Sequence, residues 1–472
     1  MRTIIFAYLL LGAALYGFAA SGKKAPGRDN VSVSGQINLD DRYSVFITAK
    51  SRKGTGSGSI SNEIILDKEG RFSWQAPVQA PVFVTMSIQP KARNRQLATN
   101  FPLYLAPGSH IRLGLNYTDS TQLTLTSGNL DNNNKALFAY FRLSVLKDLS
   151  LYKALGTGDS VKPEITSYMS AVDSLVAVLN IQNEQVKQYL AIWAFNNYQE
   201  AAYRLANGLR GSQVSENNYN SLPVSPAAVY DHELTLLFPA SYRFINQYIS
   251  SLADPSDRSA GLSALEKKMS ILNAVFKNAA VKEWVTEGNL EEAIRRYSVK
   301  DTADFKAQTV LFSKIAGNLR NARKRDQLIN DFKNLRFTRE GASLPDVAFK
   351  DIHGRTVKLQ SFAGKYIYID LWASWCVPCI REIPHLKQLE KEFAGKNIVF
   401  ISLSIDEDTA AWKNKVKALN LDGHQFHTGD SRFEKLMNVS AIPHFLLYSP
   451  DGRLMRYKAP RPGSKEVRDI LP

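Results

Sequence analysis

The sequence predicts a multidomain protein in which an antiparallel β-sandwich, an all-α bundle and an α/β domain follow one another along 472 residues. Three patterns support this prediction. Apolar residues alternate with polar ones early in the chain, recur with a helical period in the middle, and form alternating strand-like and helix-like runs near the end. The length and a hydrophobic content of 44% are sufficient for several globular domains.

Residues 1–20 have the composition of a secretory signal peptide. Arg2 precedes the apolar run Ile4–Leu15, and small residues surround Ala20. The run is shorter than the ~18 residues that normally span a bilayer. We therefore expect cleavage near Ala20 and export to a periplasmic or extracytoplasmic compartment, where disulfides persist; an uncleaved membrane anchor is the alternative.

Residues 21–129 are expected to form the small β-sandwich. Period-two runs begin at Val31, and turn signals such as Asp67–Gly70 and Ala106–Gly108 divide them into short strands. The glycine-rich run Lys53–Gly58 lacks the Lys-Ser/Thr ending of a phosphate-binding loop. This run is therefore interpreted as a hairpin tip.

Residues 130–338 have helical periodicity and are expected to form a bundle of six to eight helices. Aromatic residues recur there, among them Tyr189, Trp193 and Phe195. A groove for partner proteins is one interpretation of this stripe. At helical spacing it is more typical of a hydrophobic core.

Both cysteines of the chain lie in the turn Cys376-Val377-Pro378-Cys379, between an apolar strand-like run and a helix-like pattern. A structural disulfide normally ties distant segments, and a zinc site would need further ligands, so the pair is interpreted as a redox site. A helix N-terminus lowers the pKa of a thiol from about 8.5. This position predicts Cys376 as the attacking thiolate and Cys379 as the more buried, resolving thiol.

The run Trp372–Cys379 resembles the active-site sequence of the thioredoxin superfamily, and more closely that of TlpA/ResA-type thiol:disulfide oxidoreductases of the bacterial envelope. The resemblance implies a thioredoxin-like fold for residues 339–472 and no cofactor. It also implies a cis peptide bond before Pro443. Trp375, Pro378, Ile442 and Pro443 are the residues that it places against the substrate chain.

Two carboxylates are candidates for moving the proton that Cys379 must lose. Asp370 lies in the apolar run before the cysteines, where desolvation raises the pKa of a carboxyl group. Glu382 is three residues after Cys379, on the same helical face. Both match acids of the thioredoxin and ResA-type sites. For Glu382 the alternative is a solvent-facing residue that balances Arg381.

Other candidate sites are weaker. His424 and His427 could chelate a metal but lack further ligands, so they are interpreted as part of a surface turn, and no metal site is predicted. The formal net charge of +15 comes from scattered residues without a dense Lys/Arg block. Together with export, this excludes nucleic acid as the expected partner.

We therefore expect an extracytoplasmic thiol:disulfide oxidoreductase whose partners are protein thiols and disulfides, with a membrane electron donor. Reduction of envelope-protein disulfides is the expected direction, which depends on the reduction potential of the cysteine couple. The alternative is an envelope binding or scaffold protein in which the first 340 residues recognise a partner and the dithiol is secondary.

Overall fold

The computed structural model describes residues 30–39, 42–49, 60–91, 98–118, 123–157, 162–208, 225–299 and 302–472. The predicted signal peptide and the glycine-rich run Lys53–Gly58 lie outside these residues. The chain divides into two compact units. One comprises Met1–Asp257 with Ser270–Val285, and the other comprises Arg258–Met269 with Thr286–Pro472.

The first unit begins with two four-stranded sheets, ordered β4-β1-β7-β8 and β3-β2-β5-β6. Buried residues of both sheets belong to one hydrophobic cluster, so the two sheets share a core. The strands are β1 (Asn30–Asn38), β2 (Tyr43–Ala49), β3 (Ile60–Ile64), β4 (Arg71–Pro77), β5 (Val82–Pro90), β6 (Thr99–Leu105), β7 (His110–Tyr117) and β8 (Leu123–Gly128).

The pairing of β1 with β7 is parallel, which corrects the expectation of a purely antiparallel arrangement. A parallel pair needs a long crossover connection, and here β2 to β6 of the chain lie between the two strands. The pair also approaches closely at Gly35. A Cβ at that position would lie 1.8 Å from the carbonyl oxygen of Leu113, so glycine is required there.

Helices occupy the middle of the chain, as the helical periodicity predicts. The helices are α1 (Asn132–Thr157), α2 (Lys162–Val178), α3 (Glu184–Gly208), α4 (Pro226–Tyr230), α5 (Pro239–Ser251), α6 (Gly261–Val275), α7 (Ala279–Arg296), α8 (Thr302–Ala316) and α9 (Ala322–Asn334). Two 3₁₀ turns, Glu233–Leu237 and Leu335–Thr338, accompany them. None of the helices in the described ranges is both long and apolar enough to cross a membrane.

The described residues thus contain nine helices in this region, against six to eight expected. The shortest, α4, is a single turn that begins at Pro226, because proline favours the first position of a new helix. The aromatic stripe is core, as predicted. Phe195 is fully buried, and the ring of Tyr189 stacks on Phe83 with 4.2 Å between centroids.

Residues from Ala348 onward form a seven-stranded sheet with order β10-β9-β13-β12-β11-β14-β15. Strands β11, β12 and β13 run parallel, and β14 and β15 complete an antiparallel edge. The elements are β9 (Ala348–Asp351), β10 (Thr356–Lys358), β11 (Tyr366–Trp372), α10 (Val377–Glu392), β12 (Ile398–Ser404), α11 (Thr409–Ala418), β13 (His424–His427), α12 (Arg432–Leu436), β14 (His444–Tyr448), β15 (Leu454–Arg456) and α13 (Glu466–Ile470).

This arrangement is the thioredoxin-like fold that the sequence predicts. Strand β11 lies between β12 and β14, and its residues are almost all buried, because apolar side chains cover both faces of a mostly parallel sheet. The chain leaves β11 at Trp372 and enters α10 at Val377. The cysteine turn is therefore attached to the centre of the domain.

Candidate active site

Cys376 is the N-cap residue of α10. The backbone N–H of Cys379 donates a hydrogen bond to its Sγ, with an N···S distance of 3.2 Å. Pro378 lies in the first helical turn, where a missing N–H is tolerated. The two cysteines form a disulfide with an S–S distance of 2.06 Å. The structure therefore places both sulfurs at the strand-to-helix junction, as predicted.

The two cysteines differ little in exposure. Cys376 is 4% and Cys379 is 1% exposed. Cys379 is therefore the more buried cysteine, as predicted, but the difference in exposure is small in this disulfide form. The exposed surface comes from the neighbouring side chains instead. Trp375 is 66% exposed and Val377 is 57% exposed. These two apolar side chains present a contact surface directly beside the disulfide.

The Ile442–Pro443 peptide bond is cis, as predicted. It immediately precedes β14, whose first residue His444 pairs with Leu371 near the end of β11. Ile442 packs against the hydrophobic cluster that contains both cysteines. The predicted substrate-binding residues are thus brought to one end of the central strand.

Asp370 lies inside β11, between Ser402 of β12 and Phe445 of β14. Its side chain is 4% exposed. Burial raises the pKa of this carboxyl to about 8, and the negative charges of Glu382 and Glu390 contribute to the increase. A group with this pKa can exchange a proton near neutral pH.

Asp370 lines a small cavity of mixed polar and apolar lining, with room for about one water molecule. Trp372, Lys387, Glu390 and Gln425 also line it. In the described part of the chain, Asp370 Oδ1, Trp372 Nε1 and Gln425 Oε1 are buried without a hydrogen-bond partner. Burial raises the pKa of Glu390, an effect that Lys387 partly opposes. These groups give Asp370 a polar environment at the edge of an apolar core.

Glu382 contacts the loop before α13. Its Oε2 accepts a hydrogen bond from the backbone N–H of Gly463 at 3.1 Å, and its Oε1 lies 3.6 Å from Nη1 of Arg461. The side chain is 15% exposed. The alternative of a solvent-facing residue that balances Arg381 is therefore wrong, because the carboxylate is largely covered and pairs with a different arginine.

The structure also contains a residue near the cysteines that the sequence interpretation missed. Asp406 follows β12, and both of its carboxylate oxygens accept hydrogen bonds from Ser374, two residues before Cys376. One feature of the sequence could have identified Asp406. It is an acidic residue at the carboxyl end of an apolar parallel strand, where functional groups of α/β sheets collect.

The interpretation of His424 and His427 as a surface turn is wrong. They are the first and last residues of β13, inside the sheet. His427 is buried, and its Nε2 lies 2.7 Å from the carbonyl oxygen of Asp406. Buried Phe426, between them, belongs to the hydrophobic core, and the segment pairs with β12.

Residues 339–470 match the protein family described as Redoxin. The thiol-disulfide oxidoreductase ResA of Bacillus thuringiensis is 29% identical over 125 residues, which are 25% of this chain and 72% of that relative. ResA of Bacillus subtilis is 24% identical over 117 residues, 25% of this chain and 65% of that relative. A solved structure of a candidate thiol-disulfide oxidoreductase from Bacteroides vulgatus is 35% identical and covers 29% of this chain and 96% of that chain, with a TM-score of 0.28.

The fold, the paired cysteines and the family match define the C-terminal part of the chain as a protein-disulfide oxidoreductase domain of the thioredoxin class. Within that class, residues 339–470 are similar to TlpA/ResA-type thiol:disulfide oxidoreductases.

Proposed function

We propose that the chain is an extracytoplasmic enzyme that reduces disulfides of envelope proteins through the Cys376–Cys379 dithiol. The observation that carries this proposal is the hydrogen bond from the backbone N–H of Cys379 to Sγ of Cys376. An N–H donor at the start of a helix stabilises negative charge on the acceptor. The sulfur of Cys376 is therefore the one that the fold prepares as a thiolate.

The reaction proceeds in two thiol exchanges. The Cys376 thiolate attacks a substrate disulfide, an S–S bond forms between Cys376 and the substrate, and the second substrate sulfur leaves as a thiolate. Cys379 then loses its proton and attacks Sγ of Cys376, which restores the enzyme disulfide and releases the first substrate sulfur as a thiolate. Two electrons pass from the enzyme dithiol to the substrate. A membrane electron donor returns the enzyme to its dithiol form.

Asp370 is the proposed acceptor of the Cys379 proton. Its burial and its pKa of about 8 support this role, because a small ionised fraction at neutral pH is sufficient for a base that is regenerated in each cycle. Glu382 contributes through its negative charge, which raises the pKa of Asp370. Its own contacts with Gly463 and Arg461 support a second role in holding the loop before α13.

The substrate chain is proposed to lie across Trp375, Pro378, Ile442 and Pro443. The exposed side chains of Trp375 and Val377 support this proposal, because together they present apolar surface directly beside the reactive disulfide. Pro378 lies between the two cysteines in the first turn of α10, and Ile442, which precedes the cis-proline, packs against the cluster that contains both cysteines. A protein substrate would therefore meet an apolar surface around the reactive sulfurs.

The remaining regions are proposed to position this domain in the cell envelope. Residues 1–20 would direct export, which their composition supports. Residues 21–129 would form a β-sandwich from the two sheets, residues 130–338 a helical domain, and residues 339–472 the thioredoxin-like domain. The competing function is a scaffold in which the first 340 residues recognise a partner and the dithiol is secondary.

A reductase assay on the full chain tests the proposal. With dithiothreitol as the electron source, the natural chain should accelerate reduction of a protein disulfide such as insulin at least about tenfold over dithiothreitol alone. Cys376→Ala and Cys379→Ala should each abolish the acceleration. An inactive natural chain, tested against several disulfide proteins, would favour the scaffold function.

A further inference from the structure

Asp406 is a buried acidic residue that the proposed thiol exchange does not use. Its carboxylate accepts four contacts within hydrogen-bond distance: from the backbone N–H of Ser374 at 2.9 and 3.1 Å, from the Ser374 hydroxyl at 2.6 Å and from the Ser404 hydroxyl at 2.7 Å. Only 4% of the residue is exposed. Each of these contacts places an N–H or O–H donor against a carboxylate oxygen, which accepts it.

The backbone around Asp406 is also fixed. The N–H of Ile405 donates to the carbonyl oxygen of Trp372 at 2.9 Å. His427 accepts a hydrogen bond at Nδ1 from the N–H of Gly429, at 3.1 Å, so its proton is on Nε2 and is donated to the carbonyl oxygen of Asp406 at 2.7 Å. The backbone at Asp406 is therefore fixed by one hydrogen bond to the end of β11 and by another from the end of β13.

We propose that Asp406 is a positioning residue for the cysteine pair and that its buried charge makes the Cys376–Cys379 couple more reducing. Ser374 is two residues before Cys376, at most about 7 Å along the chain. Through Ser374, Asp406 holds the turn that leads from β11 to the N-cap cysteine. This role is distinct from that of Asp370, which lies within β11 and lines the cavity.

The charge of Asp406 opposes the effect of the helix N-terminus. Among the described residues no ion pair joins Asp406 to an arginine or lysine, and its carboxylate contacts are the hydrogen bonds from Ser374 and Ser404. A nearby negative charge disfavours the Cys376 thiolate. Because stabilising the reduced form makes a dithiol couple more oxidising, destabilising that form shifts the equilibrium towards the disulfide and makes the couple a stronger reductant.

The exchange equilibrium of the full chain with glutathione tests this inference, which rests on the proposed redox role of the couple. One oxidised glutathione and the enzyme dithiol convert to two reduced glutathione molecules and the enzyme disulfide. Asp406→Asn preserves an oxygen acceptor for Ser374 but removes the charge. We expect the exchange equilibrium constant of Asp406→Asn to favour the dithiol about tenfold more than that of the natural chain. This change corresponds to a shift of the reduction potential of about 30 mV to a less negative value.

Two further variants make the test specific. Ser374→Ala removes one donor from the carboxylate but leaves its charge, so it should shift the equilibrium in the opposite direction, towards the disulfide. Asp351→Asn is the matched control: it removes another buried carboxylate on β9, which is three strands away from β11 in the sheet. Its equilibrium should stay within about twofold of the natural chain.

The inference is overturned if Asp406→Asn folds, by circular dichroism, and its glutathione equilibrium lies within about twofold of the natural chain. If that variant does not fold, Ser374→Ala decides: an unchanged equilibrium, or a shift towards the dithiol, overturns the inference. No client protein takes part in this measurement. A chain without reductase activity would therefore contradict the proposed function but would still report the effect of Asp406.

Discussion

The backbone N–H of Cys379 lies 3.2 Å from Sγ of Cys376 and donates a hydrogen bond to it. This relationship assigns different roles to two cysteines that are almost equally buried. The sulfur of Cys376 faces the donor at the helix N-terminus and borders the exposed side chains of Trp375 and Val377. Cys379 is the third residue of the helix. This geometry supports the proposed attack by Cys376 and resolution by Cys379.

Asp370 should make the stability of the chain depend on pH. Its pKa is raised to about 8 in the folded state, whereas an aspartate in an unfolded chain titrates near 3.9. Between these values the folded state binds the extra proton, so the free energy of unfolding falls as pH rises, by at most about 1.4 kcal/mol per unit. Asp370→Asn should therefore be neutral at about pH 4 and stabilising by about 5 kcal/mol above pH 8.

Urea unfolding of the full chain across this pH range measures the effect. The control is Asp346→Asn, which removes an exposed carboxylate paired with Lys358 and should change the free energy of unfolding by less than about 0.5 kcal/mol at any pH. An equal stability of Asp370→Asn and the natural chain at high pH would contradict the burial of an ionisable group at this position.

Glu382 should set the pH at which the mixed disulfide is resolved. Resolution requires ionised Asp370, so its rate should rise with a midpoint near pH 8 in the natural chain. The charge of Glu382 raises the pKa of Asp370, so Glu382→Gln should move this midpoint to lower pH, by a few tenths of a unit to about one unit. Stopped-flow decay of a mixed disulfide with a small fluorescent thiol measures it.

The matched control for this prediction is Glu392→Gln. Glu392 lies at the far end of the same helix and pairs with Arg468 at 2.8 and 3.0 Å, away from Asp370. Its removal should leave the midpoint unchanged. Equal midpoints for Glu382→Gln and the natural chain would show that the carboxylate serves only the contacts with Arg461 and Gly463.

Trp375 should contribute to substrate binding and not to stability. Its ring is 66% exposed, so Trp375→Ala should change the free energy of unfolding by less than about 0.5 kcal/mol. We expect KM for a protein disulfide to rise about tenfold with little change in kcat, as for an interaction made equally with substrate and transition state. Ile65→Ala, at another exposed apolar residue, should leave KM unchanged. A normal KM for Trp375→Ala would place the substrate chain elsewhere.

The sequence predicted the parts of the site that depend on local pattern. The Cys376–Cys379 turn and the buried acid Asp370 are each carried by a short run of residues. The cis peptide bond before Pro443 was instead implied by the family resemblance. Alternation of apolar strands and helices also gave the thioredoxin-like fold. Local propensity and burial act together in these segments, so they agree with the final structure.

Contacts between distant segments could not be predicted in this way. Asp406 meets Ser374 across 32 residues, and Glu382 meets Gly463 across 81. The parallel pairing of β1 with β7 joins strands separated by five others. In each case the tertiary structure selects the partner, and periodicity within one element contains no information about it.

Capture of a mixed disulfide tests the central claim most directly. The full-length Cys379→Ala chain, reduced and then mixed with a disulfide-bonded protein, should accumulate a covalent adduct through Cys376 that dithiothreitol reverses and peptide mass spectrometry locates. Cys376→Ala, treated identically, should form little adduct. Adduct formation mainly through Cys379, or none through Cys376, would contradict the assignment of Cys376 as the attacking thiolate.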